Sequence, residues 1–371
     1  MMSFKSFSLP LFAFQVAFSF FTMPALAARA ADASDGHESV ITVDEVIPGD
    51  KAGEDLFMGD WEGRWSKGFP PELVAQVVPQ GSGKYLINFL PAFDERCPAL
   101  AVVEAKVDGE QLRFEQAGWS GQIDGDELSG TGLVRNNPTP FTLRKAVRVS
   151  PRLGAKPPKD AMVLFDGGDL AEWESDGRGG IQEIQWQKID DFLRVWPPQE
   201  KHVIVAGIRT RQAWPSFQLH VEFRLPLIAT GTGQTRGNSG VILEEFEFYE
   251  VQILDSYGLP GYWDECGAIY KKEAPKVNMC APPGQWQSYD ITYHAAEFDD
   301  AGKLGRRPRI TINHNGQLIH NNTELPYSDR AVEQRQKEPT ARTPGRITLQ
   351  NHGDAIDFRN IWVRPITRKK S

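Results

Sequence analysis

Cysteine is scarce in this chain: Cys97, Cys266 and Cys280 are the three present, and no CxxC or HExxH spacing occurs. That excludes a disulfide-stapled scaffold and leaves a structural zinc site with little support. Dense basic runs are missing too. Lys+Arg 41 against Asp+Glu 49 gives a net charge of -8, which repels a phosphate backbone, so nucleic acid is not an expected partner. Helical periodicity appears only in short pieces. The turn GTGQTRG at Gly231 to Gly237 does not match a nucleotide-binding fingerprint, and a strand pattern follows it, which disfavours NAD chemistry.

A long apolar run occurs once, at the amino end. Lys5 precedes it, Leu9 to Phe21 is mostly apolar, and Ala25-Leu26-Ala27 closes it as a small-residue cleavage site. Residues 1–27 therefore read as a signal peptide, too short for the ~20 residues of a membrane span. No cysteine follows the cleavage site to carry a lipid. Loss of Lys5 takes the charge from -8 to -9. The expectation is an exported, soluble protein, periplasmic or secreted, without a membrane anchor after cleavage. An oxidising compartment would let Cys266 and Cys280, in one loop-rich stretch, form a disulfide and leave Cys97 free. Three unpaired buried thiols are the alternative.

Turn formers are plentiful, with Gly 34, Pro 26 and aromatics at 11%. The chain reads as all-β, and its length argues for two domains. Residues 28–52 are a polar, flexible lead-in. Residues 53–147 alternate in short runs around turn signals such as Gln80-Gly81-Ser82-Gly83, giving a small antiparallel β-meander, barrel or sandwich. Trp61 and Trp65 are assigned to its core. Residues 148–160, RVSPRLGAKPPKD, are a Pro-rich basic linker with little to bury. Residues 161–366 carry further short strands, with a two-residue hairpin turn at Asn315-Gly316 and a polar insertion from Thr323 to Thr343 holding one helical turn at Arg330 to Gln334.

The stretch RGNSGVILEEFEFYEVQILD, Arg236 to Asp255, reads as a β-hairpin. On its second strand Glu250 and Gln252 share one face, and Tyr249, Val251 and Ile253 share the other. The strand thus has a packing face and a carboxylate-amide face, the pattern of a sugar-binding sheet.

The motifs LFDGGDL..W from Leu164, RGNSGV from Arg236, YEVQILDS from Tyr249, CGAIY from Cys266, PPGQWQSYDI from Pro282 and LQNHG...FRNIWVRP from Leu349 occur in order. Together they resemble the 3-keto-disaccharide hydrolase family over residues 161–366. The resemblance implies a C-terminal concanavalin-like jelly-roll β-sandwich, here preceded by the small β domain, and cleavage of glycosides already oxidised at sugar C3. That oxidation would be the work of a separate sugar 3-dehydrogenase. Asn351 stands where the commoner motif has an acid, at a strand parity expected to fall outside the pocket.

A ketone at C3 acidifies the C2 hydrogen, so a base there yields an enolate that expels the C1 substituent, and water then adds. The site needs a base near C2, a donor near the C3 oxygen and an acid near the glycosidic oxygen. Glu250 is the first choice for base or acid. His352, at the parity of Gln350, is a second proton carrier, and Asp255 a third candidate that serves equally well to fix a turn. Arg236, Asn238, Ser239, Gln252 and Gln350 are the expected hydroxyl and enolate contacts, with an Arg236–Glu250 ion pair as the structural alternative. Tyr270 and Trp286 would offer stacking surfaces, and Arg359 an inter-sheet ion pair. No cofactor is required by the sequence, although Glu250, Asp255 and His352 together would suit a divalent cation. A non-catalytic carbohydrate-binding jelly roll and an ordinary endoglycanase are the competing functions. The endoglycanase is weakened by Gln252, where such enzymes repeat an acid.

Overall fold

Eight strands between Gly59 and Ala146 form a closed antiparallel barrel, each pairing with its sequence neighbour and the first with the last. The structure is a computed structural model and describes residues 47–52, 55–68, 71–195, 206–244, 247–337 and 345–366. The expected signal peptide and residues 28–46 of the lead-in lie outside the described residues. The hairpin expected at Gln80–Gly83 joins Glu72–Pro79 to Lys84–Leu90. Trp61 and Trp65 lie in the barrel core with Phe89, Trp119 and Phe141, and the last four rings pack edge-on and stacked, Phe89 over Trp119 at 4.4 Å. Burying each such side chain stabilises by roughly 1.5–3 kcal/mol.

One barrel strand is buried on both faces. Leu73, Ala75 and Val77 point into the barrel, and Val78 packs into the core of the second domain. The near-continuous apolar run LVAQVV is the sequence trace of that double burial. Polar contacts complete the seam: Tyr257 Oη donates to Asp60 Oδ1 at 2.7 Å, Arg148 Nε to Asp60 Oδ2 at 2.7 Å, and Asn88 Nδ2 to the Gly258 carbonyl at 2.9 Å. A Cβ at Gly258, whose φ is 78°, would stand 2.5 Å from Val78 Cγ2, so only glycine fits that backbone and that approach.

The second domain has two sandwich-like antiparallel sheets over a shared core. The first sheet orders Trp173–Ser175, Ile208–Thr210, Ile347–Leu349, Ser239–Glu244 and Phe248–Ile253 side by side. The second is built around Phe217–Arg224, flanked by Trp286–His294 and Asp357–Pro365. Tyr249, Val251 and Ile253 enter the core with Phe223, Tyr289 and Ile312, as the alternation dictates. Asn315 and Gly316, at φ 51° and 81°, make the expected tight turn. The helix in the polar insertion is longer than one turn and runs Asp329–Lys337.

Two segments expected to be loose are laid onto the second sheet. Ile47 pairs with Leu227, and Asp50 binds Arg194 at 2.7 Å. The linker has much to satisfy: Ser150 Oγ meets Ser288 Oγ at 2.7 Å, Arg152 pairs with Asp290, and the Gly154 amide donates to Glu222 at 2.6 Å. Asn360 and Trp362 both donate to the Ala155 carbonyl. The linker's residue types advertise no burial because its bonds are mostly backbone and ionic. Arg359 pairs with Glu222 on the neighbouring strand of the same sheet, correcting the inter-sheet expectation.

Under that strap, burial disfavours the charge on Glu222, but hydrogen bonds from His220, Asn360, Arg359 and the Gly154 amide outweigh it and hold the carboxyl at about 2. Because the folded value lies below the ordinary 4.5, the stabilisation is complete above pH 4.5 and is lost as pH falls toward 2. It amounts to about 3 kcal/mol. Urea midpoints measured from pH 6 down to pH 2 should fall more steeply for the native chain than for Glu222→Gln. Parallel pH profiles would remove Glu222 from the acid response.

Candidate active site

Glu250 and Gln252 project from the Phe248–Ile253 strand on the face opposite the core, as the hairpin parity requires. Neither is freely solvated: Glu250 is 6% exposed and Gln252 1%. Gly240, on the adjoining strand, makes the room. A Cβ there would lie 2.3 Å from Glu250 Oε1, so the carboxyl lies directly over the glycine backbone. In the amide orientation that satisfies it, Gln252 donates to Glu250 Oε1 at 3.2 Å and to the Ser239 carbonyl at 2.8 Å, with the Gln234 amide 3.1 Å away.

Burial lifts the Glu250 carboxyl to about 7, against the opposing charge of Arg178. Near neutral pH it is therefore divided between acid and base, the condition in which a carboxyl can take a proton and return it. Arg178 is exposed, on a short turn whose amide is held by Asp176 at 2.9 Å. Across the sheet, the Gln350 amide donates to the Gly240 carbonyl at 2.9 Å. Gln350 Oε1 is buried without a partner, an acceptor that a ligand hydroxyl can satisfy.

Asn238 links this group to a second carboxyl. Its side chain donates to the Gln234 carbonyl at 2.9 Å, and its backbone amide to Asp354 Oδ2 at 2.7 Å. Burial raises the Asp354 carboxyl, with the Asn238 amide and the His352 charge pulling the other way. Ser239 is buried and donates from Oγ to the Gln350 carbonyl at 2.7 Å, a structural bond. Arg178, Gln234 and Asp354 were missed from sequence. Asp354 had a signal, lying two residues after His352 in NHGD; Arg178 and Gln234 sit in loops without periodicity.

A profile of the 3-keto-alpha-glucoside-1,2-lyase-like domain matches residues 160–364, more than half of the chain. The chain belongs to this family. Two solved structures from Parabacteroides distasonis, each carrying a provisional glycosyl-hydrolase name, are similar to it. One is 36% identical and spans 56% of this chain and 85% of its own, with a TM-score of 0.45. The other is 17% identical over 56% of this chain and 94% of its own, with a TM-score of 0.39. No curated protein matches the chain. Every residue of the site just described lies inside the 3-keto-alpha-glucoside-1,2-lyase-like segment, and the barrel lies outside it. Membership in the family supports a carbohydrate-active enzyme that works on glycosides.

Within the family segment several expected site residues stand elsewhere. His352 is exposed beyond the end of the Ile347–Leu349 strand, so parity with Gln350 does not carry through to it. Asn351, on the opposite parity, is buried instead, and its side chain accepts from the Gly353 amide. Asp255 accepts from Arg236 Nε at 2.5 Å and from the Tyr257 amide at 3.3 Å. That pair fixes the turn at the barrel seam, so Arg236 pairs with neither Glu250 nor the site's amides. Among the described residues no group of three His, Cys, Asp or Glu side chains is placed to hold a metal, so the Glu250–Asp255–His352 trio is not assembled. The two expected stacking rings are also apart. Tyr270 is half-buried and its amide donates to the Glu250 carbonyl at 2.9 Å, beside the site. Trp286 belongs to the other sheet, under the guanidinium groups of Arg359 and Arg224 at 4.0 and 4.5 Å. Cys266 and Cys280 are buried, mutually hydrogen-bonded thiols rather than a formed disulfide, and Cys97 is also free.

Proposed function

We propose that this protein is an exported enzyme that cleaves 3-keto-glycosides by elimination and hydration. The observation that carries the proposal is Glu250, a carboxyl near 7 in a shielded site walled by amides. As the carboxylate it takes the C2 proton of a sugar bearing a C3 ketone. The C2–H electron pair becomes the enolate, and its collapse forms the C1–C2 double bond as the C1–O bond breaks. The departing oxygen takes a proton, and water added at C1 completes a net hydrolysis. Gln350 Oε1 is suited to accept from a sugar hydroxyl, and Gln252 holds the Glu250 carboxyl in place. Arg178 supplies the cation that offsets charge on the C3 oxygen.

The family's substrate class supports the oxidised sugar, and the motif order supports a concanavalin-like jelly roll for the two sheets. The leader over residues 1–27 supports export, and the ketone implies a separate dehydrogenase acting first. Among the described residues no helix is long and apolar enough to cross a membrane.

Reaction of a 3-keto-disaccharide in D₂O is expected to place deuterium at C2 of the product, and C2-deuterated substrate to react more slowly. The unoxidised disaccharide should be inert. An active enzyme that neither labels C2 nor shows an isotope effect acts by direct displacement at C1, and the elimination route is then wrong.

A further inference from the structure

A cavity of about 580 Å³ opens between the barrel and the sandwich, and Glu250 is not among the residues that line it. Its walls are mostly apolar, with Val78, Leu86, Leu90 and Phe93 from the barrel side facing Tyr257 and Leu259. The volume is in the range of small-molecule sites. Polar groups are few and placed. Arg236 forms part of the wall; it is 7% exposed, and its Nη2 has no hydrogen-bond partner. Its Nε is held by Asp255, and its Nη1 reaches the Pro79 carbonyl only at 3.4 Å. A buried donor left without an acceptor costs about 1–3 kcal/mol.

The charges around the cavity cancel, Arg96 and Arg236 against Glu95 and Asp255. A ligand bearing a net charge would leave water for a neutral, largely apolar space, which is unfavourable. Gln76 and Asn88 line the barrel side with their amide nitrogens already given to Asp60 and to the Gly258 carbonyl. Their carbonyl oxygens are left to meet a donor. One guanidinium donor, two amide acceptors and apolar walls describe one kind of guest.

We infer that this seam is a second binding site, for an uncharged apolar-ringed molecule carrying oxygen substituents, one accepting from Arg236 and one donating to Gln76 or Asn88. The site exists because the barrel is docked on the sandwich, and none of its lining residues is Glu250, Gln252 or Gln350.

The test uses the full chain and para-hydroxyacetophenone at pH 6, an uncharged ring with one acceptor and one donor. Calorimetry should show saturable binding, equal in Glu250→Gln. In protein labelled with ¹⁵N-arginine, the Arg236 guanidinium signal should shift on saturation. Val102→Trp, from an exposed position on a barrel strand, and Ala92→Trp, from the loop that precedes that strand, each fill the cavity and should weaken binding by about tenfold or more; if one fails to fold, the other serves. The proposal is overturned by any of four results: no saturable binding, binding unchanged in a folded filled variant, loss of binding in Glu250→Gln, or an unmoved Arg236 signal. Tighter binding of the charged para-hydroxybenzoate would overturn the ligand class.

Discussion

Glu250→Gln is expected to lower turnover on a 3-keto-disaccharide by about 10²-fold or more, with substrate affinity kept within about tenfold. The amide keeps the shape over Gly240 and the contact with Gln252, and removes only the proton carrier. Glu250→Asp should recover little, because withdrawing the carboxyl by one methylene spoils its approach to C2. The pH profile gives the sign. The carboxylate is the active form, so kcat/KM should rise as pH climbs through about 7 and level off above it, the value that burial sets for this group. The same burial makes the ionised form costly to the fold. Its folded value lies above the ordinary 4.5, so stability should fall between pH 4.5 and about 7, by about 3 kcal/mol in total. Glu250→Gln escapes that loss, and above pH 7 it should be more stable than the native chain. A fully active Glu250→Gln would hand the proton chemistry to Asp354, the other raised carboxyl connected to this group.

Asp357→Ala is expected to cost about 3–5 kcal/mol of folding stability. Asp357 is fully buried, and arginines meet it from both neighbouring strands. Arg194 binds it at 2.7 Å and Arg224 at 2.8 Å, and each arginine is only 12% exposed. Arg224 also lies over the Trp286 and Phe192 rings, which cover it from most of the solvent. Removal of the shared carboxylate strands one guanidinium and leaves the other with only Asp50, which is more than a third exposed. Asp50→Ala should by contrast cost less than about 1 kcal/mol. Denaturant midpoints for the three proteins decide the point. A loss below about 1 kcal/mol for Asp357→Ala would mean that the arginines reach solvent, and that the ionic layer is dispensable.

The parity of the Arg236–Asp255 hairpin was legible because a period of two leaves no freedom: once Tyr249, Val251 and Ile253 are apolar, Glu250 and Gln252 must face outward. The same rule misled at the next motif. Gln350 and His352 share parity only while the chain stays extended, and the Ile347–Leu349 strand ends before it reaches them. Asp255 and Arg236 were legible as residues that matter but not as partners, since nothing in a spacing of nineteen residues says that a turn will close them onto each other. Trp286 looked like a sugar platform because an aromatic in a Gly-Gln context is ambiguous. The two guanidinium groups above it come from strands 62 and 73 residues away in sequence.

By itself the sequence determined the all-β class, the hairpin with its outward carboxylate and amide, the tight turns where positive φ is required, and the family of residues 160–364. These depend on local period, local backbone sterics and ordered motifs, all of which act over a few residues. Tertiary structure alone decided the rest: the rise of the Glu250 carboxyl, the seam that holds Arg236, and the strap of residues 148–160 over Glu222. Desolvation and ion pairing depend on which distant segments arrive beside a group. A linear pattern carries no record of that until the chain is folded.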